Sequence, residues 1–435
     1  MQRNRLGPNS QHQRASKCDD RATLHAVKKS SSKNSIVSAA FLHLAAVLLV
    51  SAPLTAEANS FDQAKRIHER LTGVAPSPEV LSSMKQAIDD GNGIAAAEQA
   101  MENDAFYTVT LKNWAAPWTN RDQDVFVPLN DYIATVIGYV RDERDFRGLL
   151  YDDVIYHAPN AGAPSYAANN NAHYSYLEEQ NVSLKDELVA TAQSQLTSLP
   201  PEAAAGVVTT RAAARSFFIA GTNRANFRYT LLNHLCLDLE QLQDNTRTPD
   251  RIRQDVSRSP GGDSRVFVNN CSGCHSGMDP LAQAFAYYDY QYDAENDLLG
   301  EEGRISYNTE GTIDPDTNSR VVKKYHINST TFPQGFVTPN DQWNNYWRQG
   351  VNRFVGWDET LPGSGNGAKS MLQELSHSQA FASCQVKKVF NAVCLREPDS
   401  AADASQLSAM ESSFASGGYN IKDVFAQSAD YCKGE

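Results

Sequence analysis

Two cysteines and a histidine lie within five residues of one another, in the segment CSGCH from Cys271 to His275. The cysteines are three positions apart, and the histidine follows the second one directly. A group that bonds to all three side chains needs them on one face of the chain, so this segment constrains the fold around it more than any other part of the sequence.

The sequence favours one of the interpretations that this spacing allows. C-x-x-C-H is the attachment signature of a c-type haem, in which each thiol bonds to one vinyl group of the porphyrin and the histidine binds the iron. A structural zinc site needs a second pair of ligands, and the chain has no other C-x-x-C and no H-x₃₋₅-H pattern. A redox dithiol is typical of a βαβ unit, which the neighbouring sequence does not predict. With a plain disulfide or a chance match as the alternative, we expect one covalent haem on Cys271 and Cys274, with His275 as the proximal iron ligand.

The first 58 residues have the pattern of an export signal. Three lysines precede an apolar run at 36–52, and AEA at 56–58 is typical of a cleavage site. An uncleaved membrane anchor is the alternative, although the run is short for a bilayer span. We therefore expect a signal peptide at 1–58, and an exported mature protein, in the periplasm or at the surface of a bacterium, that does not span the membrane.

Periodicity in the remaining chain predicts a mainly α protein of two domains. A helical N-terminal domain at 59–244 precedes a C-terminal haem domain at 245–435, which is expected to be cytochrome c-like and to carry a small β-rich insertion. The pattern also predicts particular elements: single helices at 177–196 and 211–242, a helix that begins with Asp279 as N-cap and Pro280 at its first position, β-type structure at 303–336, and closing helices at 369–377, 380–395, 403–414 and 421–431.

The segment 271–290, CSGCHSGMDPLAQAFAYYDY, resembles the C-x-x-C-H-x-x-x-D-P-L-G-x-x-L/F-E-x-[FY]-D pattern of the planctomycete-type cytochrome c proteins. Weaker similarities follow in that family's order at 66–80, 206–236 and 378–398. The chain departs from the family at Ala282, Tyr287 and Leu395, where glycine, glutamate and glycine are usual. The resemblance implies an exported c-type cytochrome with one covalent haem.

Four cysteines of the mature chain remain outside the haem segment: Cys236, Cys384, Cys394 and Cys432. Cys384 and Cys394 share one predicted helix, where ten residues span about 15 Å, whereas a disulfide needs Cα atoms within about 7 Å. The residues alone leave the other pairings open, with four free thiols as a further alternative. The resemblance implies Cys236–Cys384, because that family has cysteines at the matching positions, and this leaves Cys394–Cys432.

The iron's sixth ligand must approach from the face opposite His275. Met278 is too near to it in sequence, and His157, His173 and His234 lie in the N-terminal part, where core or surface histidines are more common. This leaves Met371, with His326 and His377 as runners-up. Met371 follows a glycine-rich loop, and this resembles the place from which small cytochromes c supply a methionine. The alternative is that Met371 only packs in the core beside the leucines of its helix.

We therefore expect a monohaem c-type cytochrome that transfers single electrons to a redox partner protein of unknown identity. The formal net charge of −12 argues against a nucleic-acid partner, because phosphate binding needs clustered lysine and arginine. No nucleophile motif or acid–base pair points to a separate reaction. The alternatives are a haem enzyme, peroxidase- or oxidase-like, with an open sixth position, and a scaffold or binding protein of a surface complex.

Overall fold

The computed structural model describes residues 59–219 and 221–434. The expected signal peptide, which contains Cys18, lies outside the described residues. The described part of the chain is mainly helical, which confirms the expected mainly α class. None of its helices combines the length and the apolar character needed to cross a membrane.

The helices of the described residues are numbered in chain order. They are α1 Ser60–Thr72, α2 Pro78–Asp89, α3 Gly93–Met101, α4 Lys112–Ala115, α5 Asp131–Arg141, α6 Ala172–Glu179, α7 Leu184–Glu187, α8 Gln193–Leu196, α9 Arg211–Phe217, α10 Arg224–Leu235, α11 Ser264–Val266, α12 Ser272–Ala282, α13 Gly367–Ser376, α14 Gln379–Cys394, α15 Ala401–Ser416 and α16 Ile421–Tyr431. Polar side chains cap many of them, as at Ser400, which forms a capping box with Asp403.

Six short strands of the described residues form three separate two-stranded antiparallel sheets. The pairs are β1 Ile155–His157 with β2 Val189–Thr191, β3 Tyr288–Gln291 with β4 Arg304–Tyr307, and β5 Gln342–Asn344 with β6 Ser364–Asn366. The prediction of β-type structure at 303–336 is wrong in extent. Among the described residues of this segment, only β4 is a strand. Backbone turns and the 3₁₀ helix Lys323–His326 occupy much of the rest.

The helix expected at 177–196 is wrong, because α6, α7, β2 and α8 divide this stretch. Asn181 adopts the left-handed conformation, with φ of 48°, which ends helical geometry after α6. Residues Val189–Thr191 then pair with β1 instead of continuing a helix.

The helix expected at 211–242 is also wrong in extent, because the chain turns between α9 and α10. Asn223 is left-handed there, with φ of 62°, and its side-chain amide donates to the carbonyls of Phe285 and Tyr288. Those tertiary hydrogen bonds compensate for the interrupted helix. The helix α10 ends at Cys236, which is also left-handed.

The main apolar core continues across the expected domain boundary at Asp244. One cluster of buried side chains contains residues from α1 through α16, including Ala64 near one end of the described chain and Ala429 near the other. The N-terminal helices α1 and α3 pack against α16, and α14 packs against both α10 and α16. The two-domain division stays a prediction.

Two disulfides connect these elements. Cys236 at the end of α10 bonds to Cys384 in α14, with Cα atoms 5.3 Å apart, and Cys394 at the end of α14 bonds to Cys432 after α16, with Cα atoms 5.5 Å apart. These are the two pairs that the family resemblance favours. Cys384 and Cys394 do share one helix. The bond at Cys236 attaches the end of α10, a helix that packs on α12, to the C-terminal helices.

Candidate haem-binding site

The residues of the C-x-x-C-H motif lie at the start of α12. Cys271 ends a π-helical turn, Phe267–Cys271, and α12 begins at Ser272. In helical geometry, residues three and four positions apart share one face. Cys271, Cys274 and His275 have this spacing, so the fold presents two sulfur atoms and one imidazole on a common face of the chain.

The opposite face of α12 packs closely against the protein. The carbonyl of Gly273 accepts from the backbone N–H of Asp244, and the hydroxyl of Ser276 donates to the Asp244 carbonyl. A Cβ atom at Gly277 would lie 2.0 Å from Nε1 of Trp347, so only glycine permits this approach. The tightly packed face fixes the rotation of the helix, and the partly exposed side chains of Cys274 and His275 point away from it.

Asp279 does not cap a helix, contrary to the sequence expectation. The helix α12 runs through Asp279 and Pro280 to Ala282, and Pro280 is inside it. The reason is that the carboxylate is already bound elsewhere. It accepts hydrogen bonds from Nε and Nη2 of Arg224, at 2.7 and 3.1 Å, and from the ring of His275. After Ala282 the chain makes a 3₁₀ turn, Gln283–Phe285, and β3 begins at Tyr288.

Asp279 belongs to a charge-balanced network of two arginines and two carboxylates. Arg224 binds Asp255 in a two-pronged ion pair, at 2.7 and 3.0 Å, as well as Asp279. Arg253, of which 2% is exposed, lies 3.7 Å from Asp279 and stacks over the ring of Tyr325. Removing one member would leave a buried charge unpaired, which is strongly unfavourable.

The contact with Asp279 determines the tautomer of His275. Nδ1 of His275 lies 3.1 Å from Oδ2 of Asp279. Burial alone would raise the pKa of the Asp279 carboxyl, but Arg224 above all, together with the His275 ring and Arg253, holds that pKa well below its ordinary value. An ionised carboxylate only accepts, so Nδ1 carries a proton and donates. In the neutral ring Nε2 then has the free lone pair, and no described residue hydrogen-bonds to it.

The two cysteines of the motif differ in their surroundings. Cys271 is buried and disulfide-bonded, while Cys274 has a free thiol that donates to the carbonyl of Leu239, 3.5 Å away. Burial, together with the negative charges of Asp238 and Glu240, raises the pKa of the Cys274 thiol to about 11. Cys274 is therefore a protonated thiol at neutral pH rather than a thiolate ligand.

The side-chain types and the spacing of this segment match those that hold a c-type haem, and attachment would need Cys271 as a reduced thiol. Two sulfurs spaced for the two vinyl groups lie beside an imidazole whose Nε2 is free and whose Nδ1 is anchored. Across the described residues, no group of three or more His, Cys, Asp or Glu side chains forms a site for a metal ion.

The three candidates for the sixth ligand lie in different environments. Met371 on α13 is fully buried in the main apolar cluster. His377 follows the same helix, and its Nδ1 lies 2.9 Å from the carbonyl of Gln373. His326 ends a 3₁₀ helix rather than lying in the expected strand, and its Nε2 is buried with no hydrogen-bond partner in the described chain.

Sequence reasoning missed the residues that anchor His275 through Asp279. Arg224 is the first residue of α10, where a cation is unfavourable because the helix N-terminus is electropositive. An arginine at that position indicates that an anion lies nearby to compensate its charge. This could not be recognised from the sequence, because the periodicity did not show where α10 begins. Arg253 and Asp255 lie in a polar stretch that reads as a solvated linker.

Comparisons with known proteins identify no family. No protein-family model, curated protein or solved structure matches the chain. The resemblance to the planctomycete-type cytochromes stays a prediction.

Proposed function

We propose that this protein is an exported monohaem c-type cytochrome that transfers single electrons to and from a partner protein. The observation that carries the proposal is the arrangement at the start of α12. There the side chains of the attachment signature share one face, and His275 offers Nε2 because Asp279 holds its Nδ1. Electron transfer is favoured over a separate reaction because no nucleophile motif or acid–base pair occurs in the sequence.

Each residue of the motif has a defined task in this function. When bound, the haem supplies an iron that takes up and releases one electron. Cys271 and Cys274 hold the ring covalently, and His275 orients it through Nε2. The packing of Gly277 against Trp347 keeps α12 from rotating, so the three side chains stay in register. A rigid site limits reorganisation when the charge of the iron changes.

The decisive experiment is a pyridine haemochrome spectrum with an intact mass of the protein exported alongside a working cytochrome c maturation system. We expect the spectrum of a haem with two saturated side chains and the mass of the mature chain plus one haem. A mass without haem would overturn the proposal. A haem that binds peroxide or carbon monoxide at an open sixth position would support the haem-enzyme alternative instead.

The sixth ligand has its own test. If Met371 binds the iron, the oxidised protein shows the near-infrared methionine–iron charge-transfer band, and Met371→Ala removes it. His326→Ala is the control, because it changes the runner-up candidate and should leave the band in place. A band that survives Met371→Ala excludes Met371, and a wild type without the band indicates a histidine or an open site.

A further inference from the structure

Asp279 touches the one ring nitrogen of His275 that does not face the proposed iron position. The separation of Nδ1 and Oδ2 is 3.1 Å, and the side chain of Asp279 is fully buried, with 0% exposed. A histidine that binds a metal donates its second N–H to some acceptor, and the acceptor sets how strongly the ring donates electrons. Here the acceptor is a full negative charge rather than a neutral carbonyl.

An ionised acceptor has a predictable effect on the ring. It draws the Nδ1 proton toward itself, and the lone pair on Nε2 becomes a stronger donor. A stronger axial donor stabilises the oxidised iron more than the reduced iron, because the oxidised ion has one more positive charge. The reduction potential is therefore lowered.

The surrounding network keeps this carboxylate both charged and stationary. Arg224 binds it through two nitrogens, at 2.7 and 3.1 Å, and the backbone N–H of Arg253 lies 3.4 Å from Oδ2. Arg224 is itself fixed by Asp255, so Asp279 cannot turn away from His275 without breaking a buried ion pair. Burying four charged side chains carries a large desolvation penalty, which a carboxylate that only filled space would not require.

We propose, on the basis of the proposed function, that Asp279 is a positioning residue for His275 that lowers the reduction potential of the bound haem. It acts through the hydrogen bond to Nδ1, and the Arg224–Asp255 pair serves to hold it in place. A carboxylate anchor opposes the rise in potential that a methionine at the sixth position would cause, so the two axial sides set the potential jointly.

The test compares Asp279→Asn with Asp255→Asn in the haem-loaded protein. Both variants remove one buried negative charge from Arg224, but only the first changes the partner of His275. For Asp279→Asn we expect the equilibrium to shift at least tenfold toward reduced iron, about 59 mV for a one-electron couple. For Asp255→Asn we expect a much smaller shift. Asp279→Glu, which keeps the charge, should restore most of the wild-type potential.

Each outcome has a defined meaning. Equal shifts in the two asparagine variants, or no shift in Asp279→Asn, would overturn the role of the hydrogen bond and leave the proposed function intact. A wild type without covalent haem removes the proposed function instead.

If the Asp279→Asn variant does not fold, a measurement on the wild type tests the hydrogen bond between Asp279 and His275 instead. In the reduced, diamagnetic protein the Nδ1 proton of His275 should exchange slowly with solvent and resonate downfield of a ring proton bound to a neutral acceptor. A rapidly exchanging proton, or one at the position of a carbonyl-bound ring, would contradict the proposal.

Discussion

Replacing Cys271 and Cys274 together with alanine is expected to remove all haem that survives denaturing gel electrophoresis. Thioether bonds withstand detergent and heat, whereas an axial bond to His275 alone does not, so the stain reports the covalent attachment. Each single variant should retain one thioether, and with it a reduced amount of haem whose pyridine haemochrome band shifts to the red because one vinyl group stays unsaturated. The graded series is the signature of a two-thiol attachment.

Histidine variants separate attachment from ligation in the same assay. His275→Ala removes the proposed proximal ligand and is expected to abolish stable haem loading, since Nε2 has no substitute on that face of α12. His326→Ala is the control, because it also removes an imidazole whose Nε2 has no hydrogen-bond partner in the described chain, but on another element. A double cysteine variant that keeps a haem stain equal to the wild type would refute the covalent attachment.

Strongly periodic, well-capped segments were predicted closely. The closing helix expected at 421–431 is α16 with the same bounds, and the helix expected at 380–395 differs from α14 by one residue at each end. Both have an apolar stripe that packs on neighbouring helices and an asparagine or serine N-cap. There the local signal and the tertiary packing agree, so the sequence alone is sufficient.

Two of the failures depend on partners that are distant in sequence. The interruption at Asn223 is compensated by carbonyls of residues more than sixty positions away. Asp279 followed by proline has the pattern of a helix start, and Arg224 and His275 instead bind the carboxylate. The spacing of the cysteines and His275 in the sequence is enough to predict that they share one face. The network of Arg224, Arg253, Asp255 and Asp279 could not be predicted, because the fold brings these residues together from separate segments.

Replacing both Cys236 and Cys384 with alanine is expected to cause a larger loss of stability than replacing both Cys394 and Cys432. This bond closes a loop with a sequence separation of 148 residues, whereas Cys394–Cys432 closes one of 38. A cross-link restricts the unfolded chain more as the loop grows, so loop closure predicts a cost of about 5 kcal/mol for the first pair and about 4 kcal/mol for the second. Alanine is chosen because a serine hydroxyl would be buried at position 384.

The free energy of unfolding should be measured in urea for both double variants, with peptide mapping of the unreduced wild type alongside. Both variants should unfold at lower urea than the wild type, the Cys236/Cys384 variant more so, and a change of slope would show that the unfolded chain has expanded. A wild-type peptide that joins Cys384 to Cys394 would contradict the pairing, and it would require α14 to break between them. Equal stability of a variant and the wild type would show that its bond does not form.

The Cys236–Cys384 bond should also affect the proposed haem site, because Cys236 ends the helix whose first residue is Arg224. Losing this bond should loosen the network that holds His275. The haem spectrum should therefore change before global unfolding in the Cys236/Cys384 variant, and not in the Cys394/Cys432 variant.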